Sequence, residues 1–242
     1  MHTVKELLTY YFKNCSLCTN PYGKYNKNEY GYICSACLKK IDNARIKHQM
    51  SYIAPLVLND KSLISVYSIF RYEDDAKDAL CEFKIKNKRE FASLFAFYLK
   101  DSLFKWGICA GDSAFIPVPA SRKGKRERGY DQVMEVLYES SYEVWDVVEF
   151  ARKTQVMQKT LNRENRISAV KGKYRIAKDQ LEGYLEAHIK NSHGSLNVII
   201  IDDVFTTGSS IKEVSSLIKE YIGSVPGVQI IGVSLFRDEQ PL

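Results

Sequence analysis

The 242-residue sequence has no run of about 18 apolar residues, so it offers no candidate helix for spanning a bilayer. Its first residues, MHTVKELLTYYFKN, mix charge into an amphipathic pattern and lack the basic end, apolar run and cleavage site of an export signal. These absences lead us to expect a cytoplasmic protein with no membrane insertion. Internal repeats and low-complexity tracts are missing too, which excludes a solenoid or a disordered array. Histidine is scarce: His2, His48, His188 and His193 are scattered without ligand spacing. What is present, 45% hydrophobic and 12% aromatic residues, suits one large domain with a small accessory one. The net charge of +6 is mild but uneven, with five cations and one acid in SRKGKRERG, Ser121 to Gly129. That clustering points to an anionic ligand.

The six cysteines fall into two kinds. Cys15, Cys18, Cys34 and Cys37 form two C-x-x-C pairs separated by fifteen residues, a spacing that presents four thiolates to one tetrahedral zinc. A pair of disulfides is the alternative, disfavoured by the absence of an export signal. Gly23 and Gly31 suit a hairpin in the spacer. Cys81 and Cys109 have no activating base nearby in the sequence and read as small core thiols.

The pattern along the chain predicts a zinc-binding ribbon module over residues 1–40, a connector over 41–61 and a main domain over 62–242. In the main domain, strands are expected at SLISVYSIF, SAFIPVP, YEVWDVVEF, LNVIII and GVQIIGVSLF. Helices are expected at DDAKDALCEF, REFASLFAFYLKDSLF, YDQVMEVLYES, KDQLEGYLEAHI and TGSSIKEVSSLIKEYI. Alternation of strand and helix implies a parallel sheet flanked by helices, an α/β fold. The basic, amide-rich stretch from Ala151 to Ile176 interrupts the rhythm and reads as a functional flap.

The stretch VIIIDDVFTTGSS, Val198 to Ser210, carries the sharpest chemistry. A buried parallel strand, Val198 to Ile201, is expected to end at the carboxyl edge of the sheet, where α/β proteins place ligands. A helix starting near Gly208 would aim its free amides at a phosphate, with hydroxyls from Thr206, Thr207, Ser209 and Ser210 alongside and Gly208 allowing close approach. Asp202 and Asp203 would then accept hydrogen bonds from the two hydroxyls of a ribose whose 5′-phosphate reaches that cradle, with magnesium nearby. Helix capping alone explains one acid and leaves the hydroxyls unexplained.

These thirteen residues resemble the phosphoribosyl pyrophosphate signature of type I phosphoribosyltransferases. The double C-x-x-C, IPVP followed by RERGYDQ, and TQVMQKTLNRENR narrow the resemblance to the ComF (competence protein F) family, over nearly the whole chain. The resemblance implies a type I phosphoribosyltransferase-like sheet with an N-terminal zinc ribbon. It also implies transfer of phosphoribose from its pyrophosphate to an unidentified acceptor, with Asp202 and Asp203 at the reacting sugar. Val204, Phe205, Thr206, Thr207, Gly208, Ser209 and Ser210 would form the 5′-phosphate loop. Arg126 and Arg128, in the family-like run, would hold the pyrophosphate, flanked by Arg122, Lys123 and Lys125. Gln158, Arg163 and Arg166 would belong to the closing flap, and Lys84 matches a lysine that the family tends to keep. Three positions depart from the family pattern: Asp131 for Asn, Ala169 for Asn, and Ser210 for Thr. The family's link to DNA uptake in natural competence implies single-stranded DNA or competence proteins as partners. The alternative function is a sensor of the same ligand, without turnover, that binds single strands.

Overall fold

A strand sends alternate side chains to opposite faces, so the consecutive aliphatics Val198 to Ile201 require cover on both. The fold supplies it in the computed structural model, which describes residues 12–23, 30–46, 53–151, 172–191, 195–222 and 225–238. Ile199 and Ile201 enter one apolar cluster with Phe115, Val233 and Leu235, while Val198 and Ile200 enter a second with Ala114, Ile116 and Val214.

The strands are β1 (Phe12–Asn14), β2 (Pro21–Gly23), β3 (Ile53–Val57), β4 (Leu63–Arg71), β5 (Ser113–Pro117), β6 (Val148–Phe150), β7 (Tyr174–Ile176), β8 (Leu196–Phe205) and β9 (Val228–Arg237). The helices are α1 (Ser35–Asn43), α2 (Asp74–Lys84), α3 (Phe91–Lys105), α4 (Arg122–Arg128), α5 (Gln132–Ser140), α6 (Lys178–Asn191) and α7 (Ser209–Ile222). The main sheet has the order β3-β4-β9-β8-β5; β3 runs antiparallel to β4 and the other neighbours are parallel. Apolar residues of α2, α3 and α5 cover one face, and those of α6 and α7 the other. Phe70, Phe83, Phe91, Phe95, Phe115 and Phe236 are fully buried, each worth roughly 1.5–3 kcal/mol over exposure. The result is a mixed α/β fold with a largely parallel sheet. Among the described residues, no helix is long and apolar enough to cross a membrane.

Four local differences from the sequence expectation have physical causes. Strand β8 does not end at Ile201 but continues through both acids to Phe205, because β9 pairs with it as far as Phe205↔Arg237. On its other side β5 stops at Pro117↔Ile201, and Val118 N–H makes the last bond to Ile201 O at 2.8 Å. The acids therefore lie where β8 outruns one neighbour. Strand β3 forms inside the expected connector, at the sheet's edge, where the missing N–H of Pro55 costs little. The expected strand over Tyr142 to Phe150 divides into a single parallel bridge, Phe115↔Val144, and β6, which pairs antiparallel with β7. Helix α4 forms within the basic run because Ser121 Oγ accepts the Gly124 N–H at 3.1 Å and Gly129, at φ +77°, ends it.

The N-terminal module is built around its thiols. β1 and β2 pair antiparallel on either side of the Cys15–Cys18 turn, and Cys34 caps α1, which carries Cys37. Cys15, Ile33, Cys37 and Ile41 belong to the same apolar cluster as Phe70 and Phe91, so the module and the α2–α3 face share one core. Tyr32 packs edge-on to Phe91 with ring centres 5.4 Å apart, and Arg45 pairs with Asp101 at 2.6 Å.

Candidate functional site at the carboxyl edge of the sheet

Because β4, β9, β8 and β5 run parallel, their carboxyl ends share one edge, and the acid pair lies on β8 where it outruns β5. Asp203 Oδ2 meets Lys84 Nζ at 2.5 Å, a contact between residues 119 apart that brings the end of α2 onto the end of β8. The Asp203 N–H donates to Asp202 Oδ1 at 2.8 Å. Burial, and next the Asp203 carboxylate, push the Asp202 carboxyl up to about 8; the Lys84 and Lys173 ammoniums and the Asp203 N–H pull the other way. Without ligand, Asp202 thus favours its protonated form at neutral pH, and Lys84 sets its ammonium directly against Asp203. The two adjacent acids therefore oppose an incoming anion less than two free carboxylates would.

The connection beyond β8 is short. Val204 and Phe205, expected in the phosphate loop, are strand residues whose side chains pack into the two apolar clusters. Thr206 and Thr207 are exposed, Gly208 is buried, and Ser209 opens α7. Gly208 has φ +70°, and a Cβ there would fall 2.6 Å from Phe205 Cε2 and 3.0 Å from Leu56 Cδ1. Glycine is required at this turn on both counts. Thr207 Oγ1 donates to Ser209 Oγ at 3.2 Å, and Tyr174 OH to Ser210 Oγ at 3.4 Å, so the hydroxyl row is partly ordered before any ligand arrives. The start of a 14-residue helix adds its dipole at the same point.

The basic run divides. Arg122, Lys123, Lys125 and Arg126 are exposed, and Arg122 and Lys125 line a cleft of about 550 Å³ with Pro117, Pro119, Asp146 and Arg175. Arg128 instead folds back over Gly124, within 2.9 Å of where a Cβ would stand, and donates to Gln132 Oε1 at 3.1 Å. Of the two arginines expected at the pyrophosphate, Arg126 faces solvent and Arg128 braces α4 against α5. Asp131 is buried and committed to backbone: Oδ1 accepts from Val133 and Met134 N–H at 3.1 and 3.4 Å, and Oδ2 from Ala120 N–H at 2.9 Å. It acts as the α5 cap, a role an asparagine also fills. Gln158, Arg163, Arg166 and Ala169 lie outside the described residues.

Sequence reasoning missed Lys173 and Glu213. Glu213, buried on α7, accepts the Lys173 and Tyr174 N–H groups at 2.7 and 3.2 Å, tying the start of β7 to the helix that begins at the hydroxyl row. The Lys173 ammonium rests over the Tyr174 ring at 4.6 Å and, like Lys84, favours the charged form of Asp202. No local motif marks either residue; only the fold brings them together.

The four paired cysteines are unbridged, and their sulfurs all lie within 4.8 Å of one another. Cys18 Sγ and Cys34 Sγ are 3.9 Å apart, against about 3.8 Å for the edge of a tetrahedron with 2.3 Å zinc–sulfur arms. Burial raises the Cys15 thiol, but backbone N–H groups of Cys34, Cys18 and Leu17 more than offset this and bring it down to about 7. Leu17 and Cys34 N–H each reach Cys15 Sγ at 3.4 Å. Such donors stabilise thiolate, so the cluster fits a structural metal ion such as zinc.

No family model matches the chain. The chain is similar to the Competence protein ComFC of Streptococcus pneumoniae (strain ATCC BAA-255 / R6), with 24% identity over 157 residues. The match takes in 65% of this chain and 63% of that protein's length. This similarity supports the ComF-family assignment that the motifs point to.

Proposed function

We propose that this chain is a competence-related, ComF-like protein that binds phosphoribosyl pyrophosphate with magnesium at the carboxyl edge of its sheet and transfers phosphoribose to an acceptor nucleophile. The observation that carries the reading is the meeting, at one strand end, of Asp202, Asp203 and Lys84 with the glycine-dependent turn and hydroxyl row that open α7. The hydroxyls of Thr206, Thr207, Ser209 and Ser210 and the first amides of α7 would hold the 5′-phosphate. Asp203 would accept from one ribose hydroxyl, and Asp202 would take the other on losing its proton. In the transfer, the bond from the anomeric carbon to the pyrophosphate oxygen breaks with both electrons leaving on oxygen, and the acceptor's lone pair forms the new bond. Lys84 and the cations of α4 would stabilise the charge that develops on the departing oxygen, where such interactions act most strongly. Magnesium, arriving with the pyrophosphate, would neutralise part of the same charge. The cysteine cluster would hold zinc as a structural element.

Calorimetry with magnesium and phosphoribosyl pyrophosphate, followed by pyrophosphate release in the presence of a panel of bases, tests this. Binding that Asp202→Asn with Asp203→Asn weakens at least tenfold is the expected result, from about 1.5–3 kcal/mol per charge-assisted hydrogen bond. No binding at millimolar ligand would refute the assignment. The exposed cations on α4 favour a second reading, a sensor that also holds single strands. Ligand binding without pyrophosphate release from any acceptor, together with salt-sensitive binding of single-stranded DNA, would select it.

A further inference from the structure

Lys84 reaches Asp203 from the last position of α2, and the two residues before it are held as firmly as it is. Glu82, with only 8% of its side chain exposed, meets Lys86 at 2.5 Å and Lys88 at 2.6 Å. Phe83 is fully buried, and its carbonyl accepts from the Tyr130 hydroxyl. A carboxylate this buried needs its partners, because a lone charge in that setting is expensive. Lys88 does more than neutralise it. Its ammonium also donates to Ser16 O at 2.5 Å, and Ser16 lies between Cys15 and Cys18 in the first cysteine turn. The Lys88 N–H returns to Glu82 O at 3.1 Å, closing the loop onto the helix end. On the cysteine side the contact is braced by Ser16 Oγ, which donates to Glu90 Oε1 at 3.2 Å, and by Ser16 N–H, which donates to Tyr32 O at 2.8 Å.

We infer that Lys88 is a positioning residue: by bridging the first cysteine turn to Glu82, it sets the end of α2 so that the Lys84 ammonium meets Asp203. The functional meaning rests on the proposed sugar-phosphate site at Asp202 and Asp203, whereas the positioning itself is a property of the ligand-free protein. A solvated salt bridge near the cysteines would not need the second bond to a backbone carbonyl of the metal-type turn. Here one ammonium joins the two, so the geometry of the thiol cluster reaches the acid pair through Ser16, Lys88, Glu82 and Lys84.

The test reads the acid pair without ligand, as the carboxyl-carbon NMR titration of Asp202 in the full-length, metal-replete protein. Among the described residues, Asp203, Lys84 and Lys173 are the charged groups seen to act on this carboxyl. Lys84→Met should raise its proton affinity about tenfold, one pH unit. Lys88→Met should raise it in the same direction, roughly threefold, and Lys88→Arg should restore the wild-type curve. Glu82→Gln, which keeps the shape but releases Lys88, supplies the same reading should Lys88→Met fail to fold. A wild-type titration in both Lys88→Met and Glu82→Gln, with Lys84→Met shifted, would overturn the positioning role. So would an unshifted Lys84→Met, or a Lys88→Met shift that arginine does not restore. Failure to bind phosphoribosyl pyrophosphate would leave these curves unchanged and sink only the functional reading.

Discussion

Replacing Lys84 by methionine keeps the length of the side chain and deletes its charge, which isolates the contact with Asp203. Two unit charges about 4 Å apart attract by about 4 kcal/mol at an effective dielectric near 20. Desolvation and the ordering of a long side chain return most of that. The Lys84 side chain retains 36% exposure and that of Asp203 19%, which places the pair between an exposed bridge and a buried one. A net coupling of about 1–2 kcal/mol follows. Urea unfolding of wild type, Lys84→Met, Asp203→Asn and the double variant measures it directly. Lys84→Met should lose roughly 2 kcal/mol, since it leaves Asp203 beside Asp202 without a counter-charge. Asp203→Asn should lose less, because it also removes the carboxylate that burdens Asp202, and the freed lysine can hydrate. The double variant should recover part of the loss. If the two single changes simply add, to within about 0.3 kcal/mol, the ion pair is not an energetic contact and the electrostatic account of the site fails.

Asp202 carries a pH signature. Its carboxyl sits above the usual range in the folded protein, so its contribution is fully present below about pH 4 and declines as pH rises toward about 8, where the partly buried group ionises. Urea midpoints between pH 5 and pH 9 should therefore fall less steeply in Asp202→Asn than in wild type; parallel curves would contradict the raised proton affinity of this carboxyl. Gly208→Ala should cost at least about 1–2 kcal/mol for the left-handed backbone, more with the Phe205 contact, and should abolish ligand-induced thermal stabilisation. Protein purified without oxygen should hold one zinc per chain by elemental analysis, and Cys37→Ser should lose it and melt earlier; absence of metal in the wild type would rule out the tetrathiolate site.

What could be read from the sequence was what lies close together along it. The cysteine pairs and the acid–glycine–hydroxyl stretch each place several chemical groups within a few residues, and the aliphatic run before Asp202 marks a strand covered on both faces. Contacts across the chain were not readable in that way. Lys84 entered only through a family resemblance, and nothing local shows that it reaches Asp203. Arg128 lies in a cationic run like its neighbours, yet the absence of a side chain at Gly124 lets it fold inward. Asp131 precedes an amphipathic helix and so bears the mark of a cap, one oxygen accepting from Val133 and Met134 N–H as an asparagine carbonyl would, but its second oxygen accepts the Ala120 N–H from outside the helix, which nothing local marks. The strand β8 runs long because β9 accompanies it, and acids alone give no such signal.

The core shared by the cysteine module and the α2–α3 face sets a timetable for the nascent chain. The thiols leave the ribosome well before the residues that share their core: Phe91, in the same apolar cluster as Cys15 and Cys37, follows Cys15 by 76 residues. At about 5–20 residues per second, synthesis of that interval takes roughly 4–15 s. Until it ends, the cysteine pairs lack that cover and can meet metal or oxidants alike. Metal captured in this window would hold the turn ready for α3, whereas a thiol oxidised in it would present the arriving helix with the wrong surface.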